Sequence, residues 1–247
     1  MIGGAMISGA MRHFVYQRVH TLGGKARHLS EHLALAARTY EQIYGVKPEP
    51  DERKVAASIA ETLHRKHPVA QVSATAMLYF YEAGDGSHTL TVNYERPLLE
   101  TGYAHSPLRP RGVTFEYSIP FGGLPTNFQI EAQALFDSRA LRLHGATRSV
   151  RREGDRLLSC GDSPLFAIRG RTLIAPPTIE SVERGLVVAA AVKSRLGVCE
   201  EPILHSELMS FDELFVADAA GVTSLSECDG AKFMSLTAAR IAAALTL

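Results

Sequence analysis

His28 and His32 stand four residues apart on one expected helix, a spacing that can hold a metal ion. No third ligand type follows them closely, so a packing role for His32 is the simpler expectation. His64 and His67, in HRKHP, close a second helix, where cationic side chains suit the C-terminal dipole. The loop PLLETGYAHSPLRPRG gathers Tyr103, His105, Arg109 and Arg111. Such a basic and aromatic cluster could hold an acidic small molecule, or could form a solvated turn. CGDSPL offers a serine but lacks the G-x-S-x-G elbow of a nucleophile. Cys160, beside it, has no basic neighbour in sequence to lower its pKa.

Composition narrows the classes. The chain has 247 residues, with 26 Lys and Arg against 26 Asp and Glu. A nucleic-acid footprint would show as a basic surplus gathered into a patch; SPLRPRG and RSVRREGDR are too short and interrupted for that. Cys160, Cys199 and Cys228 are an odd number without CxxC spacing. That pattern argues for a reducing compartment and against a disulfide scaffold or zinc site. No run approaches the ~20 apolar residues that cross a bilayer. A cytoplasmic protein with no membrane and no nucleic-acid partner is expected. MIGGAMISGAMRHF has an apolar stretch too short for a signal peptide and no charged n-region ahead of it, and residues 1–11 read as a disordered extension, with Met6 or Met11 as alternative starts.

The positioning elements follow from periodicity. FVYQRVHTLGGKARHLSEHL predicts a strand, a tight turn, a short return strand and a helix over 29–44, with Ser30 as N-cap and Gly45 as terminator. A second amphipathic helix, about 52–66, carries Val55, Ile59 and Leu63. Three strands follow, in VSATAMLYFYEAG, HTLTVNYE and GVTFEYSIP, the first two joined by the hairpin signal GDGS. These make a small α+β lobe over 12–120. FGGLPTN, within 121–127, reads as a linker. The larger α+β lobe, 128–247, holds a helix to about 144, a hairpin in ATRSVRREGDRLLSCGDSPLFAIRGRTLIAPP, a helix over 180–196 and a last helix over 235–246. Two lobes imply a cleft between them, a common ligand location.

Several phrases, in order, resemble the class IV aminotransferase fold family, which includes branched-chain and D-amino acid aminotransferases and 4-amino-4-deoxychorismate lyases. RVHTLGGKARHLSEHLALAA is similar to the family's opening strand pair and HLxRL helix. GDRLLSCGDSPLFAIRGRTLIAPP resembles its G-x-V-x-E-x-x-x-x-N-[IL]-F hairpin. SVERGLVVAAAVKSRLGV resembles GITRxxVLELAxxxGI, and FDELFVADAAGVTSLSECDG resembles its late lyase-type loop. The likeness runs from about residue 12 to the end. It implies a two-lobed α+β fold, a homodimer, and pyridoxal phosphate (PLP) held as a Schiff base on lysine.

Carried over residue by residue, the resemblance meets different chemistry. The lysine position falls near Asn127 or Phe128, and no lysine exists between residues 67 and 192. Lys66 and Lys193 are the nearest in sequence. Asn127 reads instead as a helix cap. The glutamate that pairs with the pyridine nitrogen is matched by Ser159, with Asp162 three residues on. The phosphate-binding arginine of HLxRL is matched by Leu35. In GITR, Val182 keeps the hydrophobic position, Glu183 replaces the threonine and Arg184 remains. The late TNS reads as ADA, with Asp218 and Ala219. At ~4 Å in a partly buried site, one like-charge pair costs on the order of 4 kcal/mol.

The expected function is therefore a class IV fold protein without the usual cofactor, non-catalytic or binding a different small molecule between its lobes. An alternative is an active aminotransferase or aminodeoxychorismate lyase-like enzyme with a rebuilt site, and that enzyme would use PLP. A third reading runs another reaction on Asp162, Glu183 or Asp218, should the fold bring two of them together. No metal site is expected.

Overall fold

A computed structural model describes residues 13–66, 73–98 and 100–245. The expected extension at 1–11 and His67 lie outside those residues. Two compact units emerge: one runs through Pro97 and adds Pro125–Asn127, the other comprises Leu98–Leu124 and the chain from Phe128 onward.

In the first unit, β1 (Val15–Leu22) turns through Gly23 and Gly24, both at positive φ, into β2 (Lys25–Ala26). A two-residue turn of this handedness matches the right-handed strand twist, and glycine adopts it without strain. The helices α1 (Leu29–Tyr44) and α2 (Glu52–Lys66) follow, then the hairpin of β3 (Ser73–Glu82) and β4 (His88–Pro97). The sheet order is β2-β1-β3-β4, with every pair antiparallel. Leu29, Leu33, Ala36 and Tyr40 of α1 form one core with Val55, Ile59 and Leu63 of α2 and Val15, Val19 and Leu78 of the sheet. Ser30 is not the N-cap. The helix begins at Leu29, because that residue belongs to the core, and His28 takes the cap position at φ 52°. The Ser30 hydroxyl donates to Glu31 instead. Gly45 ends α1 in the left-handed region, as expected.

The second unit opens with β5 (Ala104–His105) and β6 (Arg111–Glu116), then α3 (Asn127–His144). Four strands meander after it: β7 (Arg148–Glu153), β8 (Arg156–Cys160), β9 (Ser163–Arg169) and β10 (Thr172–Ile174). Next come α4 (Val182–Lys193), β11 (Gly197–Cys199), β12 (Ile203–Leu204) and a 3-10 turn at His205–Ser210. The strands β13 (Glu213–Asp218), β14 (Gly221–Ser224), β15 (Glu227–Cys228) and β16 (Ala231–Lys232) lead into α5 (Leu236–Leu245).

The main sheet path is β16-β15-β6-β7-β8-β9-β13-β14-β5. The strand in GVTFEYSIP was expected to complete the first lobe's antiparallel sheet. As β6 it pairs in parallel with β7 and β15, so it belongs to the second unit and the division falls at Pro97. Non-local pairing made that choice, since the segment's own alternation suits either sheet. One core gathers Val150, Leu157, Leu165, Leu214 and Phe233; a second sets Val187 and Ala191 of α4 and Ile241 of α5 against Phe166 and Phe215.

Candidate functional site

The turn between β8 and β9 and the strand pair before it hold polar groups that a core does not need. In the β7–β8 register, Arg151 lies opposite Ser159 and Arg152 opposite Leu157, so Leu158 is an extra residue on β8. Such a bulge re-aims the side chains that follow it. Leu157 packs in the core, while Ser159 faces Arg151 as its cross-strand partner. Thr178 Oγ1 donates to the Leu158 carbonyl at 2.6 Å, tying the bulge down.

Arg151 is 3% exposed and Ser159 0%. Arg151 Nη2 donates to the Gly122 carbonyl at 2.8 Å, and Gln129 Nε2 donates to the same oxygen at 2.7 Å. Arg151 Nε and Nη1 and Ser159 Oγ are buried without a hydrogen-bond partner among the described residues. Gly122 packs closely on this group: a Cβ on it would sit 2.8 Å from Arg151 Nη1, so a larger residue there would displace the guanidinium. Tyr117, just past β6, stacks on Phe136 with ring centroids 3.7 Å apart. Burial pushes its phenol up to about 12, and the nearby Arg151 charge partly opposes that shift.

A second polar corner lies at the start of α4. Ser181 caps this helix by accepting from the Arg184 N–H at 3.3 Å, and its hydroxyl donates to Glu183 Oε2 at 2.9 Å. Glu183 is buried, and its carboxyl rises to about 7. Burial is the main cause; hydrogen bonds from its own backbone and from Ser181 resist it, and Asp218 and Asp162 add to it. The fold thus brings Asp218 and Asp162 within electrostatic reach of Glu183. Asp218 Oδ1 accepts from the Ala220 N–H at 2.7 Å, and Ala219 is buried. Val182 is half-buried beside Glu183. Arg184 donates to the carbonyls of Ala175 and Pro176, at 2.6 and 3.3 Å, and to Glu200.

The remaining sequence candidates have structural partners. Leu35 is buried in α1. The element α3 starts at Asn127, whose Oδ1 accepts from the Phe14 N–H at 3.4 Å and whose own N–H donates to the Phe14 carbonyl at 3.1 Å. Phe128 is half-buried next to it. His32 is buried, with Nδ1 2.9 Å from Gln17 Oε1, and desolvation lowers its pKa to about 4. Among the described residues no group of three metal-ligating side chains occurs.

Tyr103 is buried, and His105 Nε2 lies 3.0 Å from Ser224 Oγ. Burial lowers the His105 pKa, Glu213 opposes this, and Arg109 reinforces it. Arg109 donates to the carbonyls of Leu225 and Phe233, and Arg111 pairs with Glu227 at 3.4 Å. The loop is thus stitched to its own unit. All six lysines of the chain, Lys25, Lys47, Lys54, Lys66, Lys193 and Lys232, are described and exposed. Sequence reasoning passed over Arg151. Its signal was a basic residue at an inward-facing position of a strand, lost among the four arginines of RSVRREGDR.

This architecture has solved counterparts. A hypothetical aminotransferase from Mycobacterium tuberculosis, in its PLP-bound form, aligns at TM-score 0.78 and 13% identity over 95% of this chain and 89% of that one. The fold is that of the class IV aminotransferases. The branched-chain amino acid aminotransferase of Escherichia coli aligns at TM-score 0.75 and 15% identity, covering 96% and 84% of the two chains. A Legionella pneumophila protein assigned as a 4-amino-4-deoxychorismate lyase gives 0.71 and 14%, over 90% and 85%. No family model and no curated protein matches the sequence. The class IV fold here is therefore carried at identities where side-chain chemistry is free to differ. No helix among the described residues is long and apolar enough to cross a membrane.

Proposed function

We propose that this protein uses the class IV fold without lysine-borne PLP chemistry and binds a different small molecule. The observation that carries this reading is the placement of its lysines. A Schiff-base lysine must reach into a desolvated site, and all six lysines here are exposed, with none in the stretch 67–192 that contains the start of α3. The other matched positions do not fit the cofactor either. Ser159 cannot supply the anion that keeps a pyridine nitrogen protonated, and it faces a cation, Arg151. Leu35 cannot bind phosphate, and Glu183 with Asp218 and Asp162 nearby repels it.

The deciding experiment is titration of the purified protein with PLP, followed by borohydride reduction and intact-mass measurement. No stoichiometric adduct is expected. An adduct mapped to one lysine overturns the reading and supports a PLP enzyme with a rebuilt site. The homodimer implied by the resemblance is part of the proposal. Leu135 and Leu143, exposed two turns apart on α3, offer apolar surface for it, and light scattering at the column reads the mass directly.

One observation favours a second reading, in which Glu183 exchanges a proton with the bound molecule. A carboxyl held near 7 is suited to general acid–base work. Carbon-13 NMR titration of that carboxyl tests it: an ordinary carboxylate value removes the reading.

A further inference from the structure

Resting on the reading above, the geometry points to a built anion site at the β7–β8 bulge, where the buried Arg151 guanidinium and the facing Ser159 hydroxyl bind the carboxylate of a small organic acid.

The argument begins with cost. A guanidinium stays charged at any accessible pH and cannot escape burial by losing its proton. Leaving such a group desolvated without an acceptor is among the most expensive arrangements in a folded chain. Yet Arg151 is 3% exposed and has one acceptor, the Gly122 carbonyl, for its five N–H groups. No carboxylate of the described residues forms an ion pair with it. The unpartnered Nε and Nη1 are accompanied by the unpartnered Ser159 Oγ on the directly opposed position. Two independent buried donors, placed together by a bulge, describe the complement of an anion rather than a core.

The surroundings select the class of anion. A phosphate dianion calls for several cations or a ring of free backbone N–H groups. Here a single guanidinium is present. Asp162 follows Ser159 by three residues, and the start of α4 carries the buried Glu183. One cation and one hydroxyl balance a single negative charge, and a carboxylate accepts from a guanidinium edge in bidentate fashion. The stacked Tyr117 and Phe136 rings near Arg151 suit an acid with a flat apolar body. Gln129 and Gly122 hold the guanidinium in place, since the carbonyl that Arg151 meets is also fixed by Gln129.

The test uses acetate and benzoate as probes, with benzamide as the neutral isostere and inorganic phosphate as the competing anion. The readout is the Arg151 Nε–H resonance, assigned by its loss in R151M. Benzoate and acetate are expected to shift it saturably, and benzamide is not. R151M should weaken benzoate binding at least about tenfold, and S159A should weaken it several-fold. Because Met removes an unpaired buried charge at similar volume, R151M without ligand should unfold no more easily than the wild type.

A response to phosphate without one to the carboxylates overturns the assigned class. No response to any of these anions, with R151M strongly destabilised, overturns the site and makes Arg151 an internal structural cation. The two proposals fail separately. A PLP–lysine adduct with benzoate binding intact removes only the functional reading, and absence of both adduct and benzoate binding removes only this one.

Discussion

The Ser181 hydroxyl donates to Glu183 Oε2 at 2.9 Å and accepts the Arg184 N–H at 3.3 Å, so one side chain both caps α4 and holds its buried carboxyl. A capping serine with an acid two residues on is ordinary at a helix start. Here the acid is turned inward, and burial raises it to about 7 from 4.5. The folded state therefore holds this proton more tightly than the unfolded chain does. Its stabilising contribution is complete below about pH 4.5 and is lost as pH rises through about 7. The loss is on the order of 3 kcal/mol. E183Q, which mimics the protonated form, should show a melting temperature that overtakes that of the wild type between pH 5 and 8. A difference between the two that stays constant across that range would falsify the assignment.

Gly221 makes a close backbone approach in the second unit. Its φ is +123°, and a Cβ would stand 2.2 Å from the Ala104 carbonyl oxygen and 2.8 Å from the Ala104 nitrogen. Both clashes are with backbone in the parallel β14–β5 pair, which cannot move aside. G221A should cost roughly 3 kcal/mol or more in urea unfolding. Gly185, exposed on α4 with open space around it, is the control; G185A should gain about 0.5–1 kcal/mol.

Cysteine reactivity separates interior from surface without any mutation. Burial pushes the Cys160 thiol up to about 12 and the Cys228 thiol higher still. Cys199 is half-buried on β11. A thiol-reactive dye at pH 8 should label one site quickly in the native protein and three in denaturant. Rapid native labelling of two or more would contradict the burial.

Arg109 donates to the Leu225 and Phe233 carbonyls, which fasten its loop beside β15 and β16. R109A should lower stability by about 1 kcal/mol and leave the benzoate affinity unchanged. A loss of affinity with stability intact would return Arg109 to the ligand site.

Much of this was readable beforehand. The bounds of α1, α2 and α5, the Gly45 stop and the β3–β4 hairpin follow from short-range periodicity and turn chemistry, which act within a few residues. The cap was misread: α1 starts at Leu29 as expected, so the residue before it, His28, holds the cap position and Ser30 lies inside the first turn. The sheet to which β6 belongs was illegible, since strand partners are chosen by non-local pairing.

The sequence by itself determined the order of elements, the kinship of the fold and the want of any lysine between residues 67 and 192. The resemblance read from it singled out Ser159, Glu183 and Asp218 as residues of interest. Only the tertiary structure decided what those residues face. The bulge at Leu158 turns Ser159 toward Arg151, eight residues away along a strand pair, and the packing of α4 buries Glu183 among carboxylates. A residue's type is local, but its desolvation and its electrostatic neighbours come from chain segments that meet only when folded, and the chemistry of a site depends on both.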